Sequence, residues 1–216
     1  MLIYLLSDIH AKSPFEGLVE YIEKATDEDL LIVLGDVGLH FEQTEENRRF
    51  TEQFLSIDKH IALIDGNHEN FGYLNSFPEE KWNGGTVRRL TETIVLLQRG
   101  NIYTIDGKTF FVFGGCKSSP KWKEMGLWYD GEEPTDEEIN LALFNLEAYH
   151  YNVDYILTHK YEQTPPRGTV CPKLQKLTEL IDAKVKFKKW YAGHWHTAGA
   201  IDEDHILIYD KLTALK

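Results

Sequence analysis

Five short stretches of this chain bring together residue types that bind metal ions. They are "SDIH" with Asp8 and His10, "GDVG" with Asp36, "GNHE" with Asn67, His68 and Glu69, "LTH" with His159, and "GHWH" with His194 and His196. Leaving His68 and Glu69 aside, they supply two carboxylates, one amide oxygen and four imidazoles. A mixture of oxygen and nitrogen donors suits Mn, Fe, Zn or Ni, and it is too rich in nitrogen for a Ca or Mg cage. In an extended chain, side chains two apart point to one side, so His194 and His196 are expected to address one spot.

The elements that must position these residues are legible as apolar runs. "LIYLLS" (2–7), "LLIVLG" (30–35) and "IALIDG" (61–66) read as strands buried on both faces. Between them lie helical patterns at 15–25, with Leu18, Val19 and Ile22 at helical spacing, and at 44–56, which opens on a Thr cap. This βαβαβ order implies parallel pairing. Further strands are expected at 93–98, 101–105 and 109–115, with Asp106-Gly107 turning the last two into a hairpin. Thr135 and Glu138 form a capping box for a helix reaching Ala148. Strands at 153–159, 188–196 and 205–211 and a helix at 172–182 complete the pattern, which calls for two sheets with helices outside. Each of the five stretches ends a strand, where open α/β sheets bind ligands.

Composition sets the bounds. The chain has 216 residues, 42% of them hydrophobic, enough to build a core, and is read as one domain over 1–216. Its net charge of −12 disfavours long nucleic acids and anionic membranes as partners. The sequence holds no run of about eighteen apolar residues that would span a membrane. Cys116 and Cys171 lie far apart without C-x-x-C spacing, which fits reduced thiols and a cytoplasmic location.

The ordered set D-x-H, G-D, G-N-H-E, H, G-H-x-H resembles the calcineurin-like metallophosphoesterase superfamily, from Asp8 to His196. The resemblance implies a four-layer α-β-β-α sandwich with two mixed sheets. It implies two divalent metal ions, Mn2+ foremost. Asp8, His10 and His196 would bind the first, Asn67, His159 and His194 the second, and Asp36 would bridge both. Two such ions lower the pKa of a bridging water, and the hydroxide then attacks phosphorus in line. His68 would serve the leaving group, with Glu69 orienting and charging its imidazole. The implied activity is that of a phosphodiesterase or broad phosphoesterase acting on a small-molecule or phosphopeptide phosphate ester.

Two departures bear on that picture. His159 is followed by "KYEQTPP" rather than a small residue or H-x-P. The Ser/Thr protein phosphatase and dinucleoside polyphosphate hydrolase branch carries G-D-x-H-G and G-D-x-x-D-R-G, whereas Ala11 follows His10 here and "GDVGLHF" lacks the arginine. That branch is the second reading, and a non-catalytic metal-binding scaffold the third. Lys117, Lys121, Trp122, Trp128 and Arg167, on the loops 116–134 and 160–171, are candidate substrate contacts. His40 is close enough in sequence to Asp36 to reach the site. His40, His60 and His205 have no motif around them, and His150 ends a predicted helix, where a dipole contact or exposure to solvent is expected.

Overall fold

The computed structural model describes residues 1–162 and 168–215. In chain order the first sheet begins with β1 (Ile3–Leu6), then α1 (Glu16–Lys24), β2 (Leu30–Leu34), α2 (Glu45–Leu55) and β3 (Ile61–Ile64). The three strands pair in parallel, as the alternation requires. A short helix α3 (Phe71–Leu74) leads to the hairpin β4 (Glu79–Trp82) and β5 (Gly85–Arg89), and β6 (Ile94–Leu97) returns parallel to β3. The hairpin escapes a hydrophobicity reading because β4 is an exposed edge strand of sequence EEKW, with no apolar face to bury.

The second sheet starts with β7 (Ile102–Ile105) and β8 (Lys108–Phe113). Asp106 and Gly107 both take positive φ between them, as the tight hairpin turn demands. After α4 (Pro120–Glu124) and α5 (Asp136–Ala148) come β9 (Tyr155–Thr158), α6 (Pro172–Lys184), β10 (Lys189–Ala192), β11 (Gly199–Ala200) and β12 (His205–Leu207). The capping box on α5 is formed as read, with Thr135 accepting from the Glu138 amide and Glu138 accepting from the Thr135 amide. The last strand, β13 (Thr213–Ala214), crosses back and pairs antiparallel with β1.

Both sheets are mixed, in the orders β13-β1-β2-β3-β6-β5-β4 and β11-β12-β10-β9-β8-β7. Strand alternation sorts the apolar residues into three layers of core. Ile32 and Leu34 of β2 meet Val112, Leu157 and Tyr191 between the sheets. Leu31 and Val33 face α1 and α2 with Phe50 and Phe54. Phe111, Phe113 and Ile156 face α5 and α6 with Leu146, Leu174 and Ile181. The result is a four-layer α-β-β-α sandwich.

One helix face differs from expectation. α1 buries Gly17, Leu18 and Tyr21, while Val19 and Ile22 are each 39% exposed. Tyr21 wins the buried position because its hydroxyl donates to the carbonyls of Asp29 and His60, which satisfies its polar end. Among the described residues no helix is long and apolar enough to cross a membrane.

Candidate metal centre

The five stretches converge at the carboxyl ends of β1, β2 and β3 in one sheet and β9 and β10 in the other. Each strand runs straight into its polar residues, and the chain then turns sharply. Asp8, His10, Asp36, His194 and His196 all have φ between 48° and 71°, in the left-handed region. Non-glycine residues pay for that conformation, and such strain collects at functional sites. It also overturns the expectation that His194 and His196 share one side of an extended strand. β10 stops at Ala192, and the two imidazoles turn into different clusters.

In the first cluster, Asp8, His10 and His196 bring ligand atoms within 4.8 Å of one another. His10 Nε2 and His196 Nε2 lie 2.8 Å apart, and Asp8 Oδ1 lies 3.8 Å and 3.5 Å from them. Asp8 Oδ1 is buried and has no hydrogen-bond partner among the described residues. In the second cluster, Asp36, His159 and His194 do the same. His159 Nε2 lies 3.3 Å from His194 Nδ1, 3.5 Å from Asp36 Oδ1 and 3.2 Å from Asn67 Oδ1. The other oxygen of Asp36, Oδ2, is 3.6 Å from His10 Nε2 in the first cluster. One carboxylate thus faces both clusters. An orphaned buried oxygen, converging lone pairs and mixed nitrogen and oxygen donors fit a cation in each cluster.

Electrostatics agree. Burial lowers the His10 imidazole to about 4 and His194 to about 2, so both are neutral at pH 7 with a lone pair to offer. His196, more exposed, is raised by the Asp8 carboxylate beside it. Burial opposes ionisation of Asp36, yet His159, His68 and His10 around it outweigh that and hold it below the usual carboxylate range. In the second cluster the other ring nitrogens are tethered in turn. His159 Nδ1 bonds the Leu34 carbonyl at 2.8 Å, and His194 Nε2 approaches Cys116 Sγ at 3.7 Å. Such outer partners fix ring orientation and tautomer.

His68 is 8% exposed and lies beside the first cluster, its ring edge-on to His10, Phe41 and Trp122, with centroids 5.0, 4.9 and 4.4 Å away. Burial lowers its pKa. Glu69 does not reach it, contrary to expectation. The turn sends the Glu69 carboxylate to the other side, where it accepts from the amides of Val37 at 2.9 Å and Gly38 at 3.3 Å. Burial, reinforced by Asp36, pushes Glu69 well above the usual range. It braces the loop that carries Asp36 rather than charging an imidazole.

Of the loop candidates among the described residues, only Trp122 lines the cavity beside the centre. Lys117 pairs with Glu133, and Trp128 lies under Lys123. Lys121 is exposed, and Arg167 lies outside the described residues. His40 bonds through its backbone, its amide donating to Thr51 and its carbonyl accepting from Asn70, while its ring packs on Tyr73. The unusual Lys160 after His159 is buried, its Nζ bonded to the Thr169 carbonyl at 2.7 Å and to Glu162 at 3.0 Å. The motif reading missed Cys116, Ser118 and Arg99. Ser118 Oγ accepts from Asn67 Nδ2 at 3.0 Å, and Arg99 pairs with Asp65, just ahead of Gly66 and Asn67. Only their small size or charge beside apolar runs could have marked them.

The model of the family described as Calcineurin-like phosphoesterase matches residues 1–198. Among solved structures, AQ665 of Aquifex aeolicus, a protein of unknown function, is 14% identical with a TM-score of 0.44, over 99% of this chain and 95% of that one. A second crystal structure is 10% identical with a TM-score of 0.49, over 100% of this chain and 99% of that one. No curated protein matches the chain. The family match spans all five stretches and the strands that carry them, and the chain belongs to the calcineurin-like phosphoesterase family.

Proposed function

We propose that this protein is a dinuclear-metal hydrolase of phosphate esters, acting as a phosphodiesterase on a small-molecule ester. The observation that carries the reading is Asp36, whose two oxygens face the two donor clusters. Asp8, His10 and His196 would hold one cation, and Asn67, His159 and His194 the other, with Asp36 shared. The donors are imidazole, carboxylate and amide oxygen, a set that suits Mn2+ and admits Fe, Zn or Ni. Two bound cations supply a water acidic enough to be deprotonated at neutral pH and offset the charge on the phosphate oxygens.

The chain's own residues do the rest. A cavity of about 610 Å³ opens beside His10, His196 and His68, a size suited to a small ligand. Phe41 and Trp122 wall it and exclude water from one side of the centre. His68 lines the same cavity outside both donor clusters and is the imidazole free to donate to the leaving oxygen. The rim carries Lys12 against Glu42 and Glu46, a balance that repels polyanions and favours an ester with little charge beyond its phosphate. Both cysteines are buried and unpaired, which supports a reducing, cytoplasmic setting.

The test is hydrolysis of bis-p-nitrophenyl phosphate and p-nitrophenyl phosphate, side by side, by metal-stripped protein reloaded with Mn2+. The diester is expected to be the better substrate. His68→Asn is expected to lower kcat by about 10² to 10⁴ while keeping bound metal, the usual worth of a positioned proton donor. Absence of turnover on both esters at full metal occupancy would overturn the proposal, and a monoester preference would overturn its diester part.

A further inference from the structure

The loop leaving β8 contributes no donor to either cluster, yet two of its residues, two apart, each touch a donor of the second one. Asn67 can offer a cation only its oxygen, since the amide nitrogen has no lone pair to give. Its Nδ2 donates to Ser118 Oγ at 3.0 Å, which turns Oδ1 toward His159 Nε2 at 3.2 Å. Ser118 is itself held, because its amide donates to Glu132 Oε1 at 3.0 Å. The Cys116 amide donates to the Glu132 carbonyl at 3.0 Å, and Arg99 bonds the neighbouring Gly131 carbonyl at 2.7 Å.

His194 presents the same problem in another form. A neutral imidazole carries one proton, and the nitrogen bearing it cannot ligate. Cys116 Sγ lies 3.7 Å from the Lys117 carbonyl, to which the thiol donates, and 3.7 Å from His194 Nε2. With its hydrogen engaged there, the sulfur is left to accept from Nε2–H. That keeps the lone pair on Nδ1, the nitrogen facing His159 at 3.3 Å.

We infer that the 114–118 loop is the positioning element of the second metal site, Ser118 setting which way the Asn67 amide points and Cys116 setting the tautomer of His194. The inference rests on the proposed reading of Asp36, Asn67, His159 and His194 as a cation site. Ser118 and Cys116 touch neither the cation nor the substrate and act through the donors they hold. Outer partners of this kind are worth about 10- to 100-fold in metal affinity.

The experiment is equilibrium dialysis of metal-stripped full-length protein against graded Mn2+, with low-temperature EPR to separate a coupled pair from an isolated ion. Wild type is expected to bind two equivalents and show the coupled signal. Ser118→Ala and Cys116→Ala are expected to weaken one equivalent by about 10- to 100-fold, leave the other unchanged, and show the isolated-ion signal at intermediate Mn2+. Ser118→Thr, which keeps the hydroxyl, is expected to restore the pair. Melting of the metal-free variants near the wild-type temperature is expected, so that the loss is read as a site effect. Two equivalents at wild-type affinity in both alanine variants, with Asn67→Ala losing one, would overturn the inference alone. Fewer than two equivalents in wild type, or two in Asn67→Ala, would overturn the underlying reading and the inference with it.

Discussion

Gly66 shows how tightly the centre is built. A Cβ there would strike Asp36 Oδ1 and lie 2.5 Å from the Asp36 amide nitrogen. Gly66→Ala must therefore displace the carboxylate that faces both clusters, and metal titration is expected to show both equivalents weakened in a chain that still folds. Gly193 is constrained in the same way, since a Cβ would strike Ser7 Oγ and come within 2.9 Å of Asp8 Oδ2. Glu69 gives a prediction of a different kind. Glu69→Ala leaves the amides of Val37 and Gly38 buried without acceptors, and denaturant unfolding is expected to show a loss of about 2 kcal/mol or more. Glu69→Gln keeps an acceptor and is expected to lose far less. A large drop in kcat for Glu69→Gln, with stability intact, would return Glu69 to a role beside His68. At this scale the donors were legible, because each ends an apolar run that fixes where the side chain emerges. The aim of Glu69 was not, because adjacency to His68 in the chain says nothing of the direction its carboxylate takes, and the amides it accepts from, Val37 and Gly38, lie 32 and 31 residues away. Ser118 and Cys116 were hidden for another reason. Their partners lie 51 and 78 residues away, and only the fold brings them together.

The elements read most clearly where burial is two-sided. β1, β2 and β3 are near-continuous apolar runs because sheet and helices cover both faces, and their parallel order followed from the helices between them. β4, β11 and β13 were invisible, being short or polar at sheet margins where no hydrophobic period is imposed. β12 carries a feature that no periodicity announces. His205 stacks on Tyr161 and is ringed by Phe187 and Trp190. Its Nδ1 bonds Asp202 at 2.9 Å and its Nε2 bonds Asp182 of α6 at 3.0 Å, while the Tyr161 hydroxyl also donates to Asp182. Burial works against the imidazolium, but the two carboxylates prevail and raise the pKa. A raised folded pKa stabilises fully below the unfolded value of about 6.5 and loses that stability as pH climbs through the folded value. Thermal melts of metal-free protein are expected to fall over that window, more steeply in wild type than in His205→Asn. Identical pH slopes in the two proteins would contradict this account of the clasp.

For the whole molecule, the centre is a joint between the two sheets. Asp8, Asp36 and Asn67 come from the first, and His159, His194 and His196 from the second, so neither sheet completes a cluster alone. A cation bound there ties the layers together only in the folded state. Free Mn2+ at a hundredfold over its dissociation constant is expected to add about 2.7 kcal/mol per site, read as a rise in Tm that EDTA reverses. Two sheets with helices outside were legible from the order of strands and helices, and the four-layer plan followed from the family resemblance. The cavity was not, because its walls come from residues 10–14, the 38–44 loop, the start of α2 and Trp122 of α4, which meet only once both sheets are in place. The most direct measurement is the anomalous difference map of a crystal soaked in Mn2+. The account predicts two peaks about 3.5–4 Å apart, one among Asp8, His10 and His196 and one among Asn67, His159 and His194, with Asp36 between them. A single peak, or peaks away from Asp36, would contradict it.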